Sequence, residues 1–457
     1  MTMLTERTVE YNYIQSFYTR EDNQIIVVYG DKYSGIDGFL KDFIKDRDFF
    51  YYRARPCSMN EQINLWKNEL KEDIKGGFDT GQGYLSILSA MMNKKTEKRI
   101  IMIDEFQNII KYSEDFMESL IRVSHDKWNN QPALFILATT SVYWVENSMV
   151  DKLGKTAYEI DGLLKINDLT FLNLVHHFNK YKLKNNVEVY SILGGRRELW
   201  DHFNPDRPVN DNICNNIIKK GSFLHEYGMH ILPEELREPN VYNTILSTLS
   251  QGNEKLNDIY RHTGYSRAKI SVYLKNLIAL NIVEKVDSYD TLGRDNAQKG
   301  IYRICDPFVD FWFCFIFSRL SRLDLISPEK FFTRYVAPEL KNYTARYFKD
   351  VCSEYLDLMN KVGQLRFHYV KRGSWIGKVG NIDIIAQDED GNTIIGQCNW
   401  DKNKMTYEDY EWLTFCVKQA KLKADDYYLF SAGDFDERLI MEANEQDNIY
   451  LIDSTKL

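Results

Sequence analysis

The apolar residues of this chain come in two rhythms, and the change from one to the other marks its parts. QIIVVY (Gln24 to Tyr29), FFYYRAR (Phe49 to Arg55), IIMID (Ile100 to Asp104) and ALFILATTS (Ala133 to Ser141) are short runs rich in apolar residues. Such runs predict strands, and the first, third and fourth predict buried ones. Between them apolar positions recur at helical spacing, as from Met59 to Lys75 ahead of the flexible GGFDTGQG, and on both sides of the third run. Strands alternating with helices predict a parallel, doubly wound sheet.

Past PEELREP (Pro233 to Pro239), a polar, proline-marked joint, the rhythm changes. Val241 to Ser250 and Leu256 to His262 predict two helices, Gly264 interrupts the chain, and Ser266 caps a third helix that runs to about Leu280. IVEKV, a gap containing Gly293, and GIYRI (Gly300 to Ile304) complete the pattern of a winged helix with its hairpin wing. Phe308, Phe311, Trp312 and Phe315 then fall at helical spacing and predict a buried packing helix. From about Pro338 a helix (Asn342 to Leu358) precedes two alternating strands in WIGKVGNIDIIAQDEDGNTIIGQCNW, joined by a turn at Asp388 to Asn392. The divisions expected are 1–158, 159–238, 239–304, 305–337 and 338–457.

At 457 residues the chain is too long for a single core, which fits this segmentation. A net charge of -8 excludes a globally basic nucleic-acid binder and leaves local basic faces. MTMLTERTVEYNYIQ has no apolar leader, and no apolar run is long enough to cross a bilayer, so the expected location is cytoplasmic with no membrane partner. Seven cysteines without a CxxC pair fit reduced thiols. His176 and His177 are adjacent and cannot share a ligand site on one helix face, so no zinc is expected.

The first strand runs into GDKYSGIDGFLKDFI, a glycine-rich turn that opens a helix. Loops of this layout bind phosphate through backbone N–H groups at a helix amino terminus and close with a lysine and a hydroxyl. Gly30 and Gly35 keep the spacing, with Asp31, Lys32 and Ser34 between them, but Ile36 takes the lysine position and Asp37 the hydroxyl position. Lys32 could reach a phosphate from another direction, whereas Asp37 puts negative charge where triphosphate charge would lie. The third run ends in Asp104 and Glu105, at the strand end where open α/β sheets put their chemistry. There the first acid of such a pair can hold Mg²⁺ and the second can act on the attacking water. Thr139, Thr140 and Ser141 end the neighbouring strand, either to contact a γ-phosphate, for which Thr140 is the candidate, or to cap the strand.

On VVYGDKYSG, IDEFQ (Ile103 to Gln107), the strand ending in TTS, IDGLLKINDLTF (Ile160 to Phe171) and SILGG (Ser191 to Gly195), the sequence resembles the archaeal-type P-loop ATPases of the AAA+/STAND group, which also occur in bacteria. The resemblance implies a P-loop NTPase domain with a helical lid, and ATP and Mg²⁺ as cofactors, with Asp104 the metal residue. Relatives close the loop with Gly-Lys-Thr or Gly-Lys-Ser, where this chain has Gly35-Ile36-Asp37. They follow SILGG with an apolar residue and proline, where this chain has Arg196 and Arg197. In the third helix of the winged unit, Arg267, Lys269 and Lys275 are the candidate DNA contacts. In this group the same unit also serves as a protein contact or an internal packing module.

The carboxyl-terminal region resembles the restriction-endonuclease-like domain that this family often carries. Asp383 in NID matches the retained acid, but Gln397 and Asn399 of GQCNW stand where relatives have Glu-x-Lys-Trp, and Lys349 stands at the helix acid. Amides and one lysine do not make the two-carboxylate cage that Mg²⁺ prefers. Strand alternation predicts Asp383, Gln397 and Asn399 at one sheet edge, with Cys398 and Trp400 facing the other side. Two sites have each lost their charged centre inside an apolar frame that persists. The leading expectation is a multidomain α/β pseudoenzyme that contacts DNA, a protein partner or a second copy of itself. The alternatives are a weak ATPase acting through Asp104 and Glu105 and a metal-dependent nuclease.

Overall fold

The computed structural model describes residues 6–73, 83–92, 98–113, 115–126, 132–232, 236–291, 300–400 and 403–457. GGFDTGQG before Gly83, the gap at Gly293 and the start of the joint at Pro233 lie outside them. The chain forms two compact units, Met1–Asp168 with Arg196–Glu198, and Leu169–Gly195 with Leu199–Leu457.

In the first unit β1 (Gln24–Gly30), β2 (Phe49–Arg53), β3 (Arg99–Asp104), β4 (Ala133–Thr139) and β5 (Gly162–Ile166) form one parallel sheet in the order β2-β3-β4-β1-β5. Every residue of β1, β3 and β4 is buried, and alternation sends them into two cores. Ile25, Val27, Ile101, Ile103, Phe135 and Leu137 enter one, while Ile26, Val28, Ile100, Met102, Leu134 and Ile136 enter the other. Each such side chain contributes about 2 kcal/mol on burial. β5 was not among the expected strands. It lies at the sheet edge and leaves Leu163 48% exposed, so GLLKI carries no unbroken apolar signal.

The helix Ile36–Ile44 buries Ile36, Phe39, Leu40, Phe43 and Ile44, an apolar stripe at helical spacing laid on the second core. The helix Thr8–Tyr18 ends where Lys98 Nζ donates to the carbonyls of Phe17, Arg20 and Asp22 at 2.9, 2.7 and 2.9 Å. A lysine there satisfies carbonyls that the helix end leaves open. Burial lowers its pKa to about 8.

In the second unit the aromatic segment forms the helix Pro307–Phe311 and continues as a wider π-type turn, Trp312–Ile316. Phe308, Phe311, Trp312 and Phe315 are all buried. Its one acid, Asp310, is buried too, and accepts from the Tyr347 hydroxyl at 2.8 Å and lies 2.9 Å from Arg346 Nη2. The winged helix comprises Pro239–Ser250, Leu256–Thr263 and Arg267–Ala279, then the antiparallel pair β6 (Val283–Asp287) and β7 (Gly300–Ile304). Ile245, Leu249, Ile259, Ile270, Leu274 and Leu277 are among its buried residues.

The carboxyl-terminal sheet contains β8 (Lys371–Ile376), β9 (Asn381–Gln387) and β10 (Thr393–Asn399), beside the two-residue β11 (Lys404–Met405). β12 (Asp426–Ser431), a two-residue β13 (Asp434–Phe435) that pairs with β11, and β14 (Ile449–Asp453) follow. The order is β14-β12-β10-β9-β8, with β10, β12 and β14 parallel and β9 antiparallel to both its neighbours. Between the pairs Gly373↔Ile385 and Trp375↔Ile382 the register shifts, so Asp383 and Ile384 together oppose Ser374. That bulge interrupts the strict alternation expected for β9 at Asp383.

Candidate nucleotide and nucleic-acid sites

The loop after β1 is tight because of its two glycines. A side chain at Gly30 would meet the Ile166 carbonyl at 2.6 Å and Ser34 Oγ at 2.9 Å, and Gly35 takes φ 95°. Within the loop Ser34 N donates to Asp31 O at 3.0 Å, so this amide is turned onto the loop itself. Ser34 is buried and its carbonyl accepts from Arg7 Nη2 at 2.6 Å. The same nitrogen lies 2.9 Å from Asn167 O, beyond β5. Lys32 is exposed and stacks over the Tyr33 ring at 5.0 Å. Ile36 is 2% exposed and belongs to the core, while Asp37 is half-buried.

The acid pair is surrounded by protein donors. Arg53 is the register partner of Asp104, and its Nε lies 3.4 Å from Asp104 Oδ2, with Nη2 4.0 Å from Glu105 Oε1. The Tyr51 hydroxyl donates to Asp104 Oδ2 at 2.9 Å, and Glu105 N donates to Asp104 Oδ1 at 2.9 Å. Glu105, held at φ 53°, accepts from the Thr140 hydroxyl at 2.7 Å and from the Gln107 amide. Thr139 is buried, and its hydroxyl accepts from Ser141 N at 3.0 Å, a cap on the strand end. Burial pushes the Asp104 carboxyl up to about 6. The Tyr51 bond opposes that, nearby Glu105 and Asp37 add to it, and Arg53 opposes it again.

Asp104, Glu105 and Thr140 thus sit together at the sheet end, and Asp37 is close enough to act on Asp104. Mg²⁺ with a triphosphate does not fit these residues. Ile36 lies in the core and offers a phosphate no contact, Asp37 adds like charge, and Arg53 already stands as a cation beside the acids. Among the described residues no group of three or more His, Cys, Asp or Glu could hold a metal ion. Arg53, Tyr51 and Arg7 were not singled out in the sequence. Only Arg53 left a signal there, a cation at the end of FFYYRAR. Arg197 forms a buried ion pair with Glu6, 2.8 Å apart.

On the winged helix, Ser266 Oγ accepts from Lys269 N and caps the helix Arg267–Ala279 as expected. Arg267 is exposed, with Nε 3.0 Å from Asn257 Oδ1 and its guanidinium 4.4 Å over the Tyr260 ring. Lys269 lies 3.1 Å from Glu238, and Lys275 is exposed further along the helix.

In the carboxyl-terminal sheet Asp383 Oδ2 accepts from Gln397 Nε2 at 2.8 Å and from Cys398 N at 3.0 Å. Asn399 lies two residues further along β10, bonded through its carbonyl to Ala432 N at 2.9 Å. Burial pushes the Asp383 carboxyl up, against the pull of the Cys398 N–H and of Lys349. Cys398 meets Cys352 of the helix Ala337–Lys361, and Trp400 packs at 5.1 Å against Phe348 of that helix. Here too a divalent metal does not fit, since one carboxylate faces an amide and a lysine.

Residues 4–199 match the family described as an ATPase domain predominantly from Archaea. Residues 243–285 match that of the bacterial regulatory protein, arsR family, and residues 312–410 a family of archaeal and bacterial proteins of unknown function. An uncharacterized protein of Methanocaldococcus jannaschii is 24% identical over 399 residues, 87% of this chain and 88% of that one. The Walker-type ATPase of Pyrococcus abyssi is 16% identical, covering 67% of this chain and 95% of its own, with a TM-score of 0.48. The ORC2 protein of Aeropyrum pernix, in ADPNP-ADP complexes, is 13% identical over 70% of this chain and 92% of its own, with a TM-score of 0.45. No helix among the described residues is long and apolar enough to cross a membrane. With its parallel sheet, glycine loop and terminal acid pair, the segment 4–199 matches the ATPase-domain family found predominantly in Archaea, and a winged helix and a mixed-sheet carboxyl-terminal module follow it in the chain.

Proposed function

We propose that this protein is a pseudoenzyme of that ATPase class, a scaffold that contacts DNA through its winged helix and turns over neither nucleotide nor DNA. One observation carries the reading: the residue at the loop's lysine position, Ile36, is the first member of a buried apolar stripe. A second supports it, since Arg53, Tyr51, Thr140 and Gln107 already engage the two acids that would otherwise hold Mg²⁺ and direct water. The carboxyl-terminal module is then a folded but chemically silent partner, with Asp383 tied to Gln397.

The test is nucleotide affinity measured by calorimetry with and without Mg²⁺, together with steady-state hydrolysis of ATP. The expected result is no Mg²⁺-dependent binding and no turnover. Hydrolysis that is abolished by Glu105→Gln would establish the second reading, a weak ATPase, which the presence of both Asp104 and Glu105 at the end of β3 favours. For DNA, Arg267→Ala and Lys275→Ala should each weaken duplex binding at low salt and flatten its salt dependence by about one unit of slope. Unaltered binding in both would leave the winged helix as a protein contact.

A further inference from the structure

The residue before the winged helix has an unusual backbone and an unusual target. Glu238, the N-cap of the helix Pro239–Ser250, takes φ 55° and ψ 57°, a left-handed conformation for a residue that carries a side chain and precedes a proline. Such a conformation costs about 1 kcal/mol or more and is held only when something fixes it. What it does here is aim the Glu238 carboxylate at the helix Arg267–Ala279. Oε1 lies 3.1 Å from Lys269 Nζ, and Oε2 accepts from the Tyr273 hydroxyl.

The two donors are themselves held in place. Lys269 Nζ lies 5.3 and 5.6 Å from the Tyr265 and Tyr273 ring centres, and Tyr273 packs on Tyr242 with ring centres 4.6 Å apart. An ammonium and a phenol hydroxyl, set against aromatic faces on the exposed end of this helix, make a small site for an oxyanion. A carboxylate and a phosphodiester present the same unit charge, and each can accept from two donors through two oxygens. Lysine and tyrosine are among the side chains that hold DNA phosphates.

We infer that Lys269 and Tyr273 form a phosphate subsite for duplex DNA, and that Glu238 occupies it as an internal stand-in for the phosphate. This rests on the reading of the winged helix as the DNA-contacting module. The Glu238 carboxylate is 54% exposed, so its ion pair with Lys269 is screened and a DNA phosphate can displace it. Glu238 thereby sets the affinity of the helix Arg267–Ala279 for phosphate.

The experiment is the binding of a short fluorescent DNA duplex to the full chain across a salt series, with wild type, Glu238→Gln and Glu238→Gln/Lys269→Gln. Glu238→Gln should bind about tenfold more tightly at low salt, with a salt slope steeper by about 1, and the double variant should lose that gain. Equal affinity and slope in wild type and Glu238→Gln would overturn the subsite while leaving the winged helix as a DNA reader. A gain that persists in the double variant would also overturn it, because that gain would not pass through Lys269. Absence of duplex binding by every variant at low salt would overturn the subsite and the DNA reading together.

Discussion

Arg53 and Asp104 are register partners on adjacent strands, and the guanidinium of one lies 3.4 Å from the buried carboxylate of the other. The pairing gives this carboxylate partners from the protein itself, a cation from β2 and the phenol of Tyr51. The neutralisation is incomplete, because the Asp104 carboxyl sits near 6.

That value gives a pH dependence with a definite sign. The free carboxyl titrates near 3.9, so between about pH 4 and pH 6 the folded state holds more protons than the unfolded one. Stability therefore falls as pH rises through that window, by about 2–3 kcal/mol for this group. Asp104→Asn has no proton to lose. Urea unfolding of both proteins at pH 4 and pH 7 should show the variant gaining on wild type by about 2 kcal/mol at the higher pH. A difference that stays constant would contradict the assignment.

Ile36→Lys tests whether the lysine position still belongs to a phosphate loop. A lysine there must leave its charge in the apolar core or pull the helix start outward, so the expected outcome is a loss of about 3 kcal/mol or more with no gain in ATP affinity. Ile36→Val should cost only about 1 kcal/mol. Tight Mg²⁺-ATP binding by Ile36→Lys with Asp37→Thr would show that the loop retains its original geometry.

The buried pair in the second unit predicts a loss that depends on pH. Arg346→Met leaves Asp310 without its cation, and removing one partner of a buried pair is costly. The guanidinium keeps over a third of its surface in water, so about 2 kcal/mol is expected at pH 7. With the Asp310 carboxyl near 6 in the intact protein, the loss should shrink as pH falls to 5 and the acid takes up its proton. Thermal unfolding at the two pH values measures it.

Asp383 should not support catalysis. Supercoiled plasmid incubated with the protein and Mg²⁺ or Mn²⁺ should remain intact, and Gln397→Glu with Asn399→Lys should give at most slow nicking, because Lys349 still stands where a third ligand would be needed. Cleavage by the native chain that disappears in Asp383→Ala would reverse the reading of this module.

The sequence carried the parts of the fold that rest on unbroken burial. β1, β3 and β4 are buried at every position and apolar through their middles because both faces of the sheet are covered, and the winged helix announces itself through Ser266, Gly264 and regular apolar spacing. β5 escaped because an edge strand needs no second core. The bulge of β9 at Asp383 is a matter of how many residues oppose Ser374 and leaves no trace in composition, yet Asp383 and Gln397 still meet. Ile36 was read as an absent lysine, whereas its spacing with Phe39, Leu40 and Phe43 already marked it as core. Arg53 and Tyr51, the partners of Asp104, come from another strand, and pairing across a sheet is invisible to a reading that runs along one chain segment.

Arg7 gives the loop after β1 a different mechanical character. One guanidinium nitrogen holds both the Ser34 carbonyl inside that loop and the Asn167 carbonyl past β5. A molecular relay needs a joint with two settings, one for each state of its input. Here one side chain bridges the loop and the segment past β5, so any displacement of this corner of the sheet has to break both bonds or carry them with it.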